Sequence, residues 1–233
     1  MVFVPLSDEN PRILIRFPYV SWGLIAVNLA VYTIFQSGLV YDAYQASMFA
    51  YGVIPAVVFG AATVPPELHA APGLVTFVTS LFLHGDWIHL IGNLLFILVF
   101  ADNIEDSMGH WRFALFYLLC GMAGAAAHAF AMPASEAPLI GASGAISGVV
   151  AAYLLLHPRV KMWILLFGRL PLKVTASWII IAWLLIQVAS GIIGADEAVA
   201  WWAHAGGFAA GAALIPLFKR DAVPWFGRPP KTI

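Results

Sequence analysis

An all-α membrane bundle of six helices is the fold this sequence predicts, and three observations carry the prediction. Hydrophobic residues make up 62% of the 233 positions and charged residues only 10%, where a soluble domain carries about 25% charged residues. Mean hydropathy is +0.89, so the chain lacks the polar groups to cover itself in water. Apolar runs of about 20 residues recur along its length, each able to cross a hydrocarbon layer about 30 Å thick. Backbone in lipid must satisfy its own hydrogen bonds, which makes the spans helical.

Taken in order, the runs place spans at roughly 19–36, 87–101, 112–131, 143–157, 174–193 and 201–218. Trp22, Trp87, Trp111, Trp178, Trp201 and Trp202 fall near their ends, where amphipathic rings favour the headgroup level. The stretch Phe49–Val64 is apolar enough to suggest a seventh span, but Pro55 and Gly60 interrupt it, and counting it would scatter the positive charges over both faces. It is expected to lie in the outer interface, within a long connection at about 37–86. Residues 1–18 and 219–233 remain as tails around a membrane domain at 19–218.

Charge sets the orientation. All 11 Lys and Arg residues lie in the N-terminal tail (Arg12, Arg16), the second-to-third connection (Arg112), the fourth-to-fifth connection (Arg159, Lys161, Arg169, Lys173) and the C-terminal tail (Lys219, Arg220, Arg228, Lys231). The other three connections have none, so the positive-inside rule puts both termini in the cytoplasm, as in a bacterial inner membrane. The first 20 residues show neither a basic start nor a cleavage site, so no removable signal peptide is expected. A net charge of −1 offers no basic surface for nucleic acid. Cys120 is the single cysteine, which excludes an intrachain disulfide and reads as a small packing residue.

A charge at a helix centre costs about 2.5–3.5 kcal/mol on insertion scales, and polar groups inside spans call for a reason. His89, Asn93, Ser143 and His204 each sit three or four residues inside the outer end of a span, about 5–10 Å deep. Independent packing groups have no need to share a level. His89 and Asn93, in HGDWIHLIGN, stand at i and i+4 and direct two donors the same way, a disposition that suits an oxyanion. The plainer reading is that they bond to neighbouring helices.

Ser143 lies in PLIGASGAISG between Gly141 and Gly144, at a helix start whose first amides are unpaired. A hydroxyl beside ready donors is what acyl transfer requires, although a Gly/Ser stripe also serves packing. Gly144 and Gly148 in the fourth span, and Gly207 and Gly211 in the sixth, share GxxxG spacing, with His204 one turn before Gly207. If the two stripes meet, Ser143 and His204 come within reach and His204 can act as base. Ser147, one turn deeper, is a rival nucleophile without the outward amides. Two further expectations are that His84 anchors the outer loop by hydrogen bonds and that Glu105 pairs with Arg112. His69, His110, His128 and His157 are expected to be interface or packing residues.

HGDWIHLIGN, GASGAISG and AHAGGFAAG together resemble the three signature segments of the rhomboid intramembrane serine proteases, with NIEDSMGHWRF and LHP matching in the inner loops. The resemblance implies a six-helix core and a Ser-His dyad reached by water from the outer side. It makes Ser143 the nucleophile and His204 the general base, with His89, Asn93 and the backbone of Ala142 and Ser143 forming the oxyanion hole. It implies single-span membrane protein substrates cut near their outer border, and no metal or organic cofactor. Two departures stand out. Many members carry a Trp-Arg pair in the first outer loop where this chain reads GLVTFVTSLFLH, and some place a tyrosine four residues after the nucleophile to stack on the base, where this chain has Ser147. His204 must then be held another way, with aromatic residues of neighbouring spans as candidates.

Three other classes fit less well. Zinc chemistry would want HExxH, and His84 with His89 does not supply it. A small transporter would carry midplane charges and repeat symmetry, which this chain lacks. A catalytically inactive rhomboid-like protein that binds membrane clients would normally have lost the serine or the base. The oligomeric state leaves no trace in the sequence.

Overall fold

A computed structural model describes residues 3–68, 70–193 and 200–227. Six helices coincide with the six apolar runs: α1 (Tyr19–Gln36, its last turn wound as a π-helix), α5 (Trp87–Met108, with a π-turn at Ile97–Ala101), α6 (His110–Ala131), α7 (Ser143–Leu156), α8 (Ala176–Ile193) and α9 (Trp201–Phe218). Between α1 and α5 lie α2 (Tyr44–Tyr51), α3 (Pro55–Val58) and α4 (Gly73–Thr79). The apolar stretch around Phe49–Val64 is therefore two short helices rather than a seventh span, broken at Gly52 and again beyond Val58.

Among the described residues, α1, α5, α6 and α8 are each long and apolar enough to cross a membrane unaided. The two helices that carry Ser143 and His204 differ from them. With 14 residues, α7 rises about 21 Å at 1.5 Å per residue, less than a full hydrocarbon layer. It is enclosed by protein: Ala145, Ser147, Ala151, Ala152, Tyr153 and Leu156 have no exposed surface. The last helix, α9, packs most extensively on α6 and α7.

That packing depends on glycine. A Cβ on Gly207 would collide with the Gly144 carbonyl, and one on Gly211 would lie 2.5 Å from the Gly148 Cα. The two GxxxG stripes do meet, backbone against backbone, the close approach that small residues allow in membranes. A Cβ on Gly124 would sit 3.2 Å from the Gly144 Cα, so α6 closes the third side of this seam.

The second span is longer than the sequence reading allowed. Instead of ending at 101, α5 runs to Met108, and Gly109 alone connects it to α6 with a φ of +84°. Only glycine adopts that conformation without strain, and a Cβ there would also meet the Arg220 guanidinium at 2.7 Å. NIEDSMGHWRF is thus mostly helix rather than loop.

A small sheet was not anticipated. β1 (Phe3–Asp8), β2 (Lys161–Leu166) and β3 (Leu170–Thr175) form an antiparallel sheet in the order β1-β2-β3, with Phe3 opposite Leu166 and Lys161 opposite Thr175. Met162 and Ile164 point into the bundle while Lys161 and Trp163 face outward, the period of two expected of a strand with one buried face. β1 lies along the inner half of α5, from Phe3 against Phe96 to Asp8 against Asn103.

The inner ends of the helices are tied together by carboxylates. Asp106 accepts the backbone N–H groups of Ile13, Leu14 and Ile15 at 3.0, 2.7 and 2.7 Å. Glu105, wholly buried, accepts from the backbone N–H groups of Val20 and Ser21 and from the Ser21 hydroxyl, and pairs with His110 at 2.5 Å. The expected Glu105–Arg112 pair does not form, because Glu105 turns toward the start of α1. His110, expected only to pack, is instead a hydrogen-bond partner of Glu105. His157 receives a similar correction: its Nε2 lies 3.2 Å from the Ser107 hydroxyl. Asp8 accepts from the Tyr153 hydroxyl and, at 3.0 Å, from Asn103 Nδ2. Burial, helped by nearby Asp102, pushes its carboxyl up to about 7 even though the Tyr153 bond opposes the shift. The expectation for His69 lies outside the described residues, as do Arg228 and Lys231 of the C-terminal tail.

Candidate active site

Four elements converge at the outer side of the seam. Asp86 caps α5 by accepting the His89 N–H at 2.7 Å, an N-cap bond that fixes where the helix starts. One turn apart on α5, His89 and Asn93 follow. Asn93 is 7% exposed and its Nδ2 has no partner among the described residues. His89 Nδ1 accepts the Gly85 N–H at 3.3 Å, which points Nε2 away from its own loop.

Nε2 points at Gly141. This residue has φ +118°, its N–H donates to the Ser80 carbonyl at 2.9 Å, and a Cβ on it would meet His89 Nε2 at 2.8 Å while lying 3.8 Å from Ser143 Oγ. Glycine is needed here twice, for its backbone conformation and for the empty space between the imidazole and the hydroxyl. Ser143 opens α7, whose first turn has no capping side chain, so its amides remain available to a ligand. Ser143 borders a small recess bounded by Ser80, Leu139, Gly141, Gly144 and Ala203.

His204 stands on α9 beside Ala203, which lines that recess. Ala203, its neighbour, directs its carbonyl at Gly144, where a Cβ would lie 3.4 Å away; the residues flanking Ser143 and His204 are therefore in contact across the glycine seam. The imidazole lies between the rings of Trp183 and Trp201, at 6.0 and 6.2 Å between centroids. Its Nδ1 is hydrogen-bonded to Gln187 Oε1 of α8. No hydrogen bond joins Ser143 Oγ to His204 in this structure. Catalytic hydrogen bonds are commonly long or absent before substrate binds.

Ser147 occupies a different environment. It has no exposed surface and its hydroxyl donates to the Ser143 carbonyl at 2.7 Å, which holds it against its own helix. His84 is corrected as well. Its ring nitrogens have no partner among the described residues, and only its backbone N–H bonds outward, to Gln36 Oε1 at 3.0 Å. Burial, with His89 close by, drives its ring down to about 3, so it stays neutral. It packs edge-on against His89 as a buttress rather than an anchor.

A family model, the rhomboid domain, matches residues 71–221, which include His89, Asn93, Ser143, Gln187 and His204. The chain belongs to the rhomboid family. Rhomboid-like protease 3 of Toxoplasma gondii is 30% identical over 64% of this chain and 54% of its own length. Rhomboid-like protein 11, chloroplastic, of Arabidopsis thaliana is 35% identical over 36% of this chain and 29% of its own. Inactive rhomboid protein 1 of Drosophila melanogaster is also 35% identical over 36% of this chain, but over 6% of its own length. The family thus contains proteases and inactive members, and this rhomboid spans little more than half the length of these relatives at most.

Sequence reasoning missed Gln187 and Trp183, and the signal for one of them was available. Gln187 is the one amide in the apolar run of α8, and a polar group inside a span calls for a reason.

Proposed function

We propose that this rhomboid is an intramembrane serine endopeptidase. Ser143 Oγ attacks the scissile carbonyl, His204 Nε2 takes the hydroxyl proton and later returns it to the leaving amine, and His89, Asn93 and the Ala142–Ser143 backbone stabilise the oxyanion. One observation carries the reading. The backbone seam of Gly144 and Gly148 against Gly207 and Gly211 holds together the helix starts that carry Ser143 and His204, and on α5 Asn93 Nδ2 is buried without a partner among the described residues. Such preorganised donors are worth more in a water-poor site than in bulk solvent.

Substrates are single-span membrane proteins cut near their outer border, since the recess lies at the outer ends of α7 and α9. The absence of positive charge from the outer connections supports cytoplasmic termini in a bacterial inner membrane. A second reading, an inactive client-binding relative, is favoured by the missing Ser143–His204 bond.

Incubating the purified protein with candidate single-span substrates, wild type beside Ser143→Ala, separates the two. The protease gives one cleaved bond near the outer border by mass spectrometry, and the variant leaves the substrate intact. Equal cleavage by both, or by neither for any substrate that binds, rejects the assignment.

A further inference from the structure

An isolated imidazole exchanges its single proton between two nitrogens, and only one tautomer can act as base toward Ser143. That tautomer has Nδ1 protonated and the Nε2 lone pair free. Among the described residues, His204 has one polar side-chain partner, Gln187, joined through Oε1 to Nδ1. A carbonyl oxygen can only accept, so with the amide turned this way the shared proton is the one on Nδ1. The rings of Trp183 and Trp201 flank the imidazole, Trp201 at 90° to it, and restrict its rotation. Gln187 is 7% exposed on an otherwise apolar helix, where an amide without a bond would be costly.

We propose that Gln187 is the positioning residue of the catalytic base, holding His204 in the Nδ1–H tautomer and aiming Nε2 at Ser143. This rests on the protease reading above. It also supplies, from the fifth membrane helix, the support that a tyrosine four residues after the nucleophile would otherwise give, the place held here by Ser147. In the reaction the Ser143 hydroxyl proton passes to Nε2 as Oγ bonds to the carbonyl carbon. The Nδ1 proton stays on the ring, still donated to Gln187 Oε1, and the Nε2 proton leaves with the amine. The glutamine is never ionised, so it orients the imidazolium without a full counter-charge.

The test uses the full chain in vesicles, with a fluorophosphonate probe and a cleavable single-span substrate. Gln187→Met keeps length and apolar fit but removes the acceptor, while Gln187→Glu keeps an oxygen acceptor. Gln187→Met is expected to lower kcat and the labelling rate of Ser143 at least about 10-fold, with KM within about twofold, the pattern of an interaction used in the transition state. Gln187→Glu is expected to recover most of that loss. In ¹⁵N-histidine spectra, His204 should show protonated Nδ1 and bare Nε2 in the wild type, and a mixture of tautomers in Gln187→Met. Unchanged kcat in Gln187→Met, equal loss in both variants with unchanged melting, or a wild-type Nε2–H tautomer would each overturn the role. A wild type that shows the Nδ1–H tautomer yet never labels at Ser143 would instead reject the protease reading and leave the hydrogen bond standing.

Discussion

The two ends of this bundle bury polar groups under opposite rules. At the inner end every buried carboxylate is saturated: Glu105 takes bonds from Val20, Ser21 and His110, and Asp106 takes three backbone N–H groups. At the outer end Asn93 Nδ2, both His84 ring nitrogens and His128 Nδ1 have no partner among the described residues. A buried polar atom left unpaired costs about 1–3 kcal/mol. The inner cluster is an architectural clamp that holds the N-terminal segment to α5. The outer cluster keeps donors unused and accepts lower stability for it, which makes sense where a reacting group must arrive.

Breaking each end should therefore hurt a different property. Glu105→Ala should have the largest effect, lowering stability by about 3–5 kcal/mol as its partners are left buried and unpaired, visible as a sharp fall in melting temperature. Asn93→Ala should do the reverse. Turnover should drop about 10² to 10³-fold, while melting stays the same or rises slightly because an orphaned donor has gone. Gly207→Ala presses a methyl group on the Gly144 carbonyl, and forced overpacking should cost about 1–3 kcal/mol in melting experiments while also parting the dyad.

The smallest effect is a pH dependence at the inner end. In the unfolded chain Asp8 ionises near 3.8, while in the folded chain it ionises near 7, so the folded state holds the extra proton between those values. Stability from this group is then greatest below about pH 4 and declines as pH rises to about 7. Thermal melting across pH 4–8 should show that decline in the wild type and a flatter curve in Asp8→Asn.

The same contrast explains how much could be read from the residues alone. The helices and the glycine seam were legible because each is written locally, as an apolar run or a four-residue spacing. The sheet was not, since the pairing of Phe3–Asp8 with Lys161–Leu166 joins segments far apart in sequence, the second of them inside the connection between the fourth and fifth spans. The Glu105 partner was misread for a similar reason: Arg112 is near in sequence, yet the helix to Met108 turns the carboxylate toward Ser21. Gln187 went unnoticed because a lone amide attracts less attention than a charge, though the desolvation argument applies to both.

The most direct test of the outer site is to treat the purified protein with a fluorophosphonate and locate the adduct by mass spectrometry. The account predicts a single modified residue, Ser143, with labelling abolished in Ser143→Ala and strongly slowed in His204→Ala. An adduct on Ser147, or labelling that is indifferent to His204, would contradict it.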